Sequence, residues 1–390
     1  MTKALPPLAC VALVLSACQS FDRAEFARLS GRGDAMVDGR TPDVRGTDAA
    51  VDARPADGGP VQCAERMRDV GGGCSLAVIP TAPMGLQNTV DRARPVRVFA
   101  ARQIAFGAGG LWQSIGFDRD GMCTTLANPT AVACRSSLPQ ADGMNGRDNT
   151  FGSVIASISA LGSSFDETRL NRAVMRGNAT LGLRLRDFGG RDDGSIIADL
   201  VPLVDGHPPG RPSDPPAWDG RDEWSIDRSL AYGADGTTAR ITTNEGFSSC
   251  GVVVAPFPNT APLYFKGDVT RSQLTLTDTR IVGVLDASGN LPSIEFTSLW
   301  VRSNIFEDLR TFGACAELLP PADWLLINMG IDAALDLPAS GTINPATPCS
   351  AMSVGFRVDL APVTVTGDVN APPPIVRDPC AAAADAGTRG

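Results

Sequence analysis

Among its 390 residues the chain has one histidine, His207, and two lysines, Lys3 and Lys266. A single imidazole excludes zinc sites built on several histidines and leaves little room for Ser-His-Asp or Cys-His catalysis. No Cys-x-x-Cys pair occurs, so the usual metal-thiolate spacing is missing. Aromatic residues make up only 6%, and the chain is acidic, with 34 basic against 43 acidic residues and a net charge of −9. That balance gives no footprint for nucleic acid and no polybasic patch for anionic lipid headgroups. Gly107-Ala-Gly-Gly110 lacks the lysine of a phosphate loop and reads as a strand connection.

What the chain has is glycine (41), proline (30) and 43% apolar residues. This suits a sizeable core made of many short elements joined by turns. Length alone suggests about two domains.

Lys3 precedes a short apolar run, Leu8-Ala-Cys-Val-Ala-Leu-Val-Leu-Ser-Ala17. A charged start, an apolar centre and a small-residue exit make 1–17 a secretory signal. The run is too short to cross a bilayer, which takes about 20 residues. The letters Leu15-Ser-Ala-Cys18 resemble the lipobox of bacterial lipoproteins. The resemblance implies cleavage before Cys18, acylation of that cysteine by more than one chain, and a membrane partner reached through the lipid anchor. Gln19, in place of an aspartate, implies the outer membrane, with the body facing the periplasm or the cell exterior. Residues 18–60 are then the lipidated cysteine and a tether of Asp, Arg, Gly and Ala, too poor in large apolar residues to offset the entropy of ordering. About 40 flexible residues give a root-mean-square span of roughly 30–40 Å.

Eight cysteines remain beyond the signal and the lipid site: Cys63, Cys74, Cys123, Cys134, Cys250, Cys315, Cys349 and Cys380. An even number in an exported chain implies disulfides. Connectivity is open. Neighbour pairing is the simplest scheme: Cys63 with Cys74, Cys123 with Cys134, Cys250 with Cys315, Cys349 with Cys380. On that scheme 61–95 is a small cysteine-closed segment.

The body, 96–380, reads as mainly β, an antiparallel sandwich or barrel with a small helical insert; the alternative is two abutting domains divided near 205–217. Phe151, Val154, Ile155, Ile158 and Leu161 fall at helical spacing and predict a helix over 150–162, with a second helix capped by Asp166 and ending at Gly177. Thr180-Leu-Gly-Leu-Arg-Leu-Arg186 alternates strictly, which predicts a strand with Leu181, Leu183 and Leu185 on one face. Further strands are expected at 96–106, 196–203, 238–242, 251–255, 262–269, 273–277, 280–286, 293–302 and 353–360, and helices at 304–311 and 320–335. Residues 381–390 read as a disordered tail.

Oxygen ligands are the foremost chemical candidates. Asp118 and Asp120 lie two apart before Gly121, and Asp142, Asn145 and Asp148 follow in Asp142-Gly-Met-Asn-Gly-Arg-Asp-Asn149. Hard oxygen donors at such spacing on glycine-permitted turns can wrap Ca2+, although the twelve-residue EF-hand pattern is incomplete. The alternative is an ordinary Asx/Gly turn in which Asp148 or Asn149 caps the 150–162 helix. A second acidic group, Asp219, Asp222 and Glu223, lies between Trp218 and Trp224 and invites comparison with the carboxylate pair of glycan hydrolases. Its alternative is a solvated loop. Trp112, Trp218, Trp224, Trp300 and Trp324 are candidates for a sugar-stacking platform or for sheet packing.

The phrase Asp142-Gly-Met-Asn-Gly-Arg-Asp-Asn-Thr-Phe-Gly152, together with the tether and paired cysteines, resembles uncharacterised lipoproteins of GC-rich Gram-negative bacteria. That family has no assigned activity, so the resemblance implies a location only. The expected function is a non-catalytic binding or surface-structure module, steadied by Ca2+, with a glycan or protein ligand. The alternatives are a carbohydrate-binding module and a glycan-directed hydrolase.

Overall fold

Leu181, Leu183 and Leu185 enter the buried core together, as their alternation requires. The structure is a computed structural model. It describes residue 63 and residues 66–71, 74–86, 94–125, 132–138, 140–159, 167–266, 271–311, 316–317 and 319–370. Cys18, the tether, Asp166, Cys315, Cys380 and the tail 381–390 lie outside these residues.

In chain order the elements are β1 (Met67–Gly71), β2 (Cys74–Ala77), β3 (Arg97–Ala105), a 3-10 helix (Ala108–Ser114), β4 (Cys134–Arg135), α1 (Thr150–Ser159), α2 (Glu167–Met175), β5 (Ala179–Arg186), β6 (Asp193–His207), β7 (Glu223–Asp227), α3 (Arg228–Ala231), β8 (Ile241–Ser249), β9 (Val252–Phe257), β10 (Ala261–Lys266), β11 (Arg271–Val284), β12 (Ser293–Val301), α4 (Arg302–Thr311), α5 (Pro321–Ala334), β13 (Asn344–Pro348) and β14 (Ala351–Val369).

Eight of these strands close an antiparallel barrel in the order β3-β5-β6-β8-β9-β11-β12-β14, with β14 returning to β3. Each strand pairs with the next barrel strand along the chain, so the path is an up-and-down meander. Closure removes the open edges that a free sheet would expose. The segment 205–217 does not divide the body, because β6 and β8 on either side of it are hydrogen-bonded neighbours.

Alternation sorts the side chains. In β9, Val253, Ala255 and Phe257 point to the interior cluster, while Val252 and Val254 face outward. In β6, Ile196, Ala198 and Leu200 go in, and Val201 and Leu203 go out. Phe296 and Phe356 stack inside at 4.2 Å between ring centroids. The interior is thus packed with apolar side chains. Two outer faces are covered. Trp224 and Ile226 of β7 with Ala231 and Tyr232 close one. Phe117, Ile79 and Leu86 close the other, over Phe247, Val252, Val254 and Val282. Seating Phe117 on the barrel wall fixes the next residue, Asp118.

Three disulfides join Cys63 to Cys250, Cys74 to Cys123, and Cys134 to Cys349. Neighbour pairing is therefore wrong for these six cysteines, and Cys63 and Cys74 do not close a loop of their own. The β1–β2 hairpin closes by backbone hydrogen bonds instead. Cys63, ahead of the hairpin, is left to clamp the N-terminal segment to Cys250 after β8, and Cys74 to clamp the hairpin to the 118–124 loop. Cys134 reaches Cys349 because β4 lies parallel to β13. The strands expected at 273–277 and 280–286 are one, β11, irregular between Thr277 and Arg280 where Asp278 takes φ 50°.

Candidate metal centre

The loop after Phe117 is held by backbone pairing to the N-terminal hairpin: Asp118 N–H donates to Ala77 carbonyl oxygen at 2.8 Å, and Ala77 N–H donates to that of Asn145 at 2.8 Å. The Cys74–Cys123 disulfide ties the same two segments. In this frame three carboxylates converge. One oxygen from each of Asp118, Asp120 and Asp148 lies within 4.8 Å of the others, and all three residues are buried. Each spends an oxygen on a backbone N–H: Asp118 on Gly121 (2.8 Å), Asp120 on Met122 (2.9 Å), Asp148 on Arg119 (2.6 Å). A carboxylate has two oxygens, so each keeps capacity for an ion or a shared proton.

Two more carboxylates act on this group. Asp142 is half-buried, accepts Thr124 N–H at 2.6 Å, and has its pKa pushed up to about 8, first by burial and then by Asp120, Asp336 and Asp118. Asp336 accepts Thr150 Oγ1–H at 2.8 Å and Ser353 N–H at 2.7 Å. Burial, with the charge of Asp120, raises it to about 6 against those hydrogen bonds. Burial raises Asp118 to about 6 as well, with Asp120 adding to the rise. Asp148 is driven well above the usual carboxylate range by burial and by the charges of Asp120, Asp142 and Asp336.

The arginines interleaved with these acids are bonded elsewhere. Arg119 donates to Asp278 Oδ2 at 2.6 Å, and Arg147 to Glu295 Oε2 at 3.2 Å. Oxygens bound to one Ca2+ at about 2.4 Å can be no more than about 5 Å apart, so the spacing of the Asp118, Asp120 and Asp148 oxygens fits a shared hard cation. The all-oxygen donor set favours Ca2+ or Mg2+ over softer metals.

Of the five ligands expected from sequence, Asp118, Asp120 and Asp148 come together and Asp142 adds its charge. Asn145 is not brought in: its side chain is exposed, its φ is 62°, and its carbonyl oxygen is used by Ala77. Asp336 was missed. It comes from a segment far along the chain, just after α5, and no spacing signal marks it. The turn reading is also realised, since Asn149 caps α1 by accepting Gly152 N–H at 3.0 Å.

In the second acidic group each carboxylate has a different partner, Glu223 lying 4.0 Å from His207 Nδ1. Asp222 is fully buried and brackets its own loop, accepting Ala217 N–H at 2.9 Å and Trp218 N–H at 2.6 Å. Asp219 pairs with Arg221. The tryptophans form no platform. Trp224 and Trp300 are buried, with Trp300 Nε1–H donating to Asp308 at 2.9 Å, and Trp324 packs on Phe306 at 5.5 Å.

Comparison with known proteins yields no match: no family model, no curated protein and no solved structure is significantly similar to this chain.

Proposed function

We propose that this chain is a lipid-anchored protein of the outer membrane whose barrel serves as a non-catalytic binding or surface-structure module, with its N-terminal loops steadied by Ca2+. The signal-like start, Cys18 and the tether support the anchor and the location. The observation that carries the reading of the body is the convergence of Asp118, Asp120 and Asp148. Buried carboxylates whose neighbouring arginines are engaged elsewhere need protons or a cation to offset their charge. They sit where a disulfide already pins the loop, a place suited to structure rather than turnover.

The test is a melting experiment on the purified chain in chelator and in millimolar CaCl2, with a panel of glycan and ester substrates assayed alongside. A calcium-dependent rise in Tm without turnover supports the reading. An unchanged Tm removes the ion, and turnover removes the non-catalytic assignment.

A further inference from the structure

The only histidine lines a cavity of about 620 Å³ that no part of the reading above uses. The cavity lies where β6 ends, between the residues that follow α2 and the proline-rich loop 208–217. Its volume falls within the range of small-molecule sites. One wall is bare backbone. Gly206 N–H donates to Gly177 carbonyl oxygen at 2.8 Å, and a Cβ on Gly177 would lie only 2.1 Å from Gly206 oxygen. Side chains at either glycine would disrupt this wall, because a Cβ on Gly206 would also overlap the Trp224 ring at 2.2 Å.

His207 Nδ1 lies 3.0 Å from the carbonyl oxygen of Pro208. A carbonyl only accepts, so Nδ1 carries a proton, with the Glu223 carboxylate 4.0 Å away. The other polar lining groups are Asp205 and Asp214, which accept, Arg176, which donates, and Asn178 and Ser213, which do both. Charges of both signs meet here: Arg176 against Asp205 and Asp214 in the lining, with Arg211 4.0 Å from Asp214 and Glu223 4.0 Å from His207 Nδ1 beside it. Asp205 stands at φ 55°, a backbone region that non-glycine residues enter at a cost, beside the irregularity that shifts β6 against β7 between Val204 and His207.

We propose that this cleft binds a neutral sugar. Carboxylates beside the cleft disfavour an anion, and Arg176 within it disfavours a simple cation. A mixed set of donors and acceptors matches hydroxyl groups, each of which gives and takes a hydrogen bond. Pro212 and Pro215 offer apolar surface to the C–H face of a pyranose ring. The cleft is open and no Trp, Tyr or Phe is among its lining residues, so affinity should be millimolar. This rests on the reading of the chain as a binding module and names its ligand class.

The lone histidine makes the test direct, because ring-13C-histidine labelling of the full chain in detergent gives a single imidazole signal. Methyl glucoside, methyl galactoside and N-acetylglucosamine are titrated, with citrate and spermidine as charged controls. A saturable shift with at least one sugar is expected, and it should vanish in the Asn178→Ala/Asp214→Ala variant while Tm is retained. No shift with any sugar, a shift unchanged in that variant, or a shift with the charged controls alone overturns the proposal. Sugar cleavage in the same samples would instead overturn the non-catalytic reading and leave binding standing.

Discussion

The side-chain amide of Asn149 accepts the N–H of Gly355 at 2.8 Å, across 206 residues of sequence. The same oxygen accepts Gly152 N–H, and the amide nitrogen donates to the carbonyls of Trp112 (3.2 Å) and Ile115 (3.3 Å). One buried side chain thereby joins the 3-10 helix, the start of α1 and β14. Asn149→Ala leaves three buried backbone groups and one part-buried carbonyl without this partner, each buried group worth on the order of 1 kcal/mol or more, so a loss of roughly 3–4 kcal/mol is expected in urea unfolding. Gly355→Ala should also destabilise, since its Cβ would lie 2.9 Å from Asn149 Cγ.

The Cys134–Cys349 disulfide spans 215 residues. In the chain-entropy model a loop of that size contributes about 5 kcal/mol, a large share of ordinary domain stability. Replacing both cysteines with alanine should lower the urea midpoint sharply. Peptide mapping without reduction should recover the 63–250, 74–123 and 134–349 links. Recovery of 63–74 or 123–134 would contradict the fold.

Much of the barrel was legible because its signal is local. Period-two alternation in 180–186 and helical spacing in 151–155 depend only on nearby residues, and both elements form where expected. Closure was less legible. The end of β14 carries Pro362 and Gly367, and β8 contains Asn244, Glu245 and Gly246, residues that argue against strands until neighbouring strands supply the pairing. The acidic cluster shows the same divide. Asp118, Asp120 and Asp148 were visible as closely spaced acids on turns. Asp336 was invisible because folding alone brings it close, and the cysteine pairing failed for the same reason.

The anchor is tested by one substitution. Cys18→Ala should move the chain from the membrane fraction to the soluble fraction of a Gram-negative host, and the wild-type N-terminal peptide should carry the mass of the acyl chains. An unmodified thiol at Cys18 in membrane-derived protein would end the lipoprotein reading.

Asp148→Asn separates an ion ligand from a turn bracket. Asparagine can still accept Arg119 N–H, so the turn survives, while one buried charge is gone. In chelator at pH 8 the variant should melt at or above the wild-type temperature, because a poorly compensated carboxylate has been removed. Its gain on adding CaCl2 should be lost. A variant that keeps the full calcium response would show that Asp148 only shapes the loop.

The acidity of the cluster also fixes a sign for pH dependence. Folding raises Asp118 and Asp336 to about 6 and Asp142 to about 8, from an ordinary value near 3.8. Groups raised on folding hold their contribution below the unfolded pKa and lose it as pH climbs through the folded one. In chelator, stability should therefore fall between pH 4 and pH 8. On the proposed reading calcium takes the deprotonated carboxylates, so its stabilising effect should grow over the same interval and flatten the decline. Melting curves at pH 5, 6.5 and 8, each with chelator and with CaCl2, measure both trends. A chelated protein whose Tm stays level across this range would mean that the carboxylates are compensated without an ion.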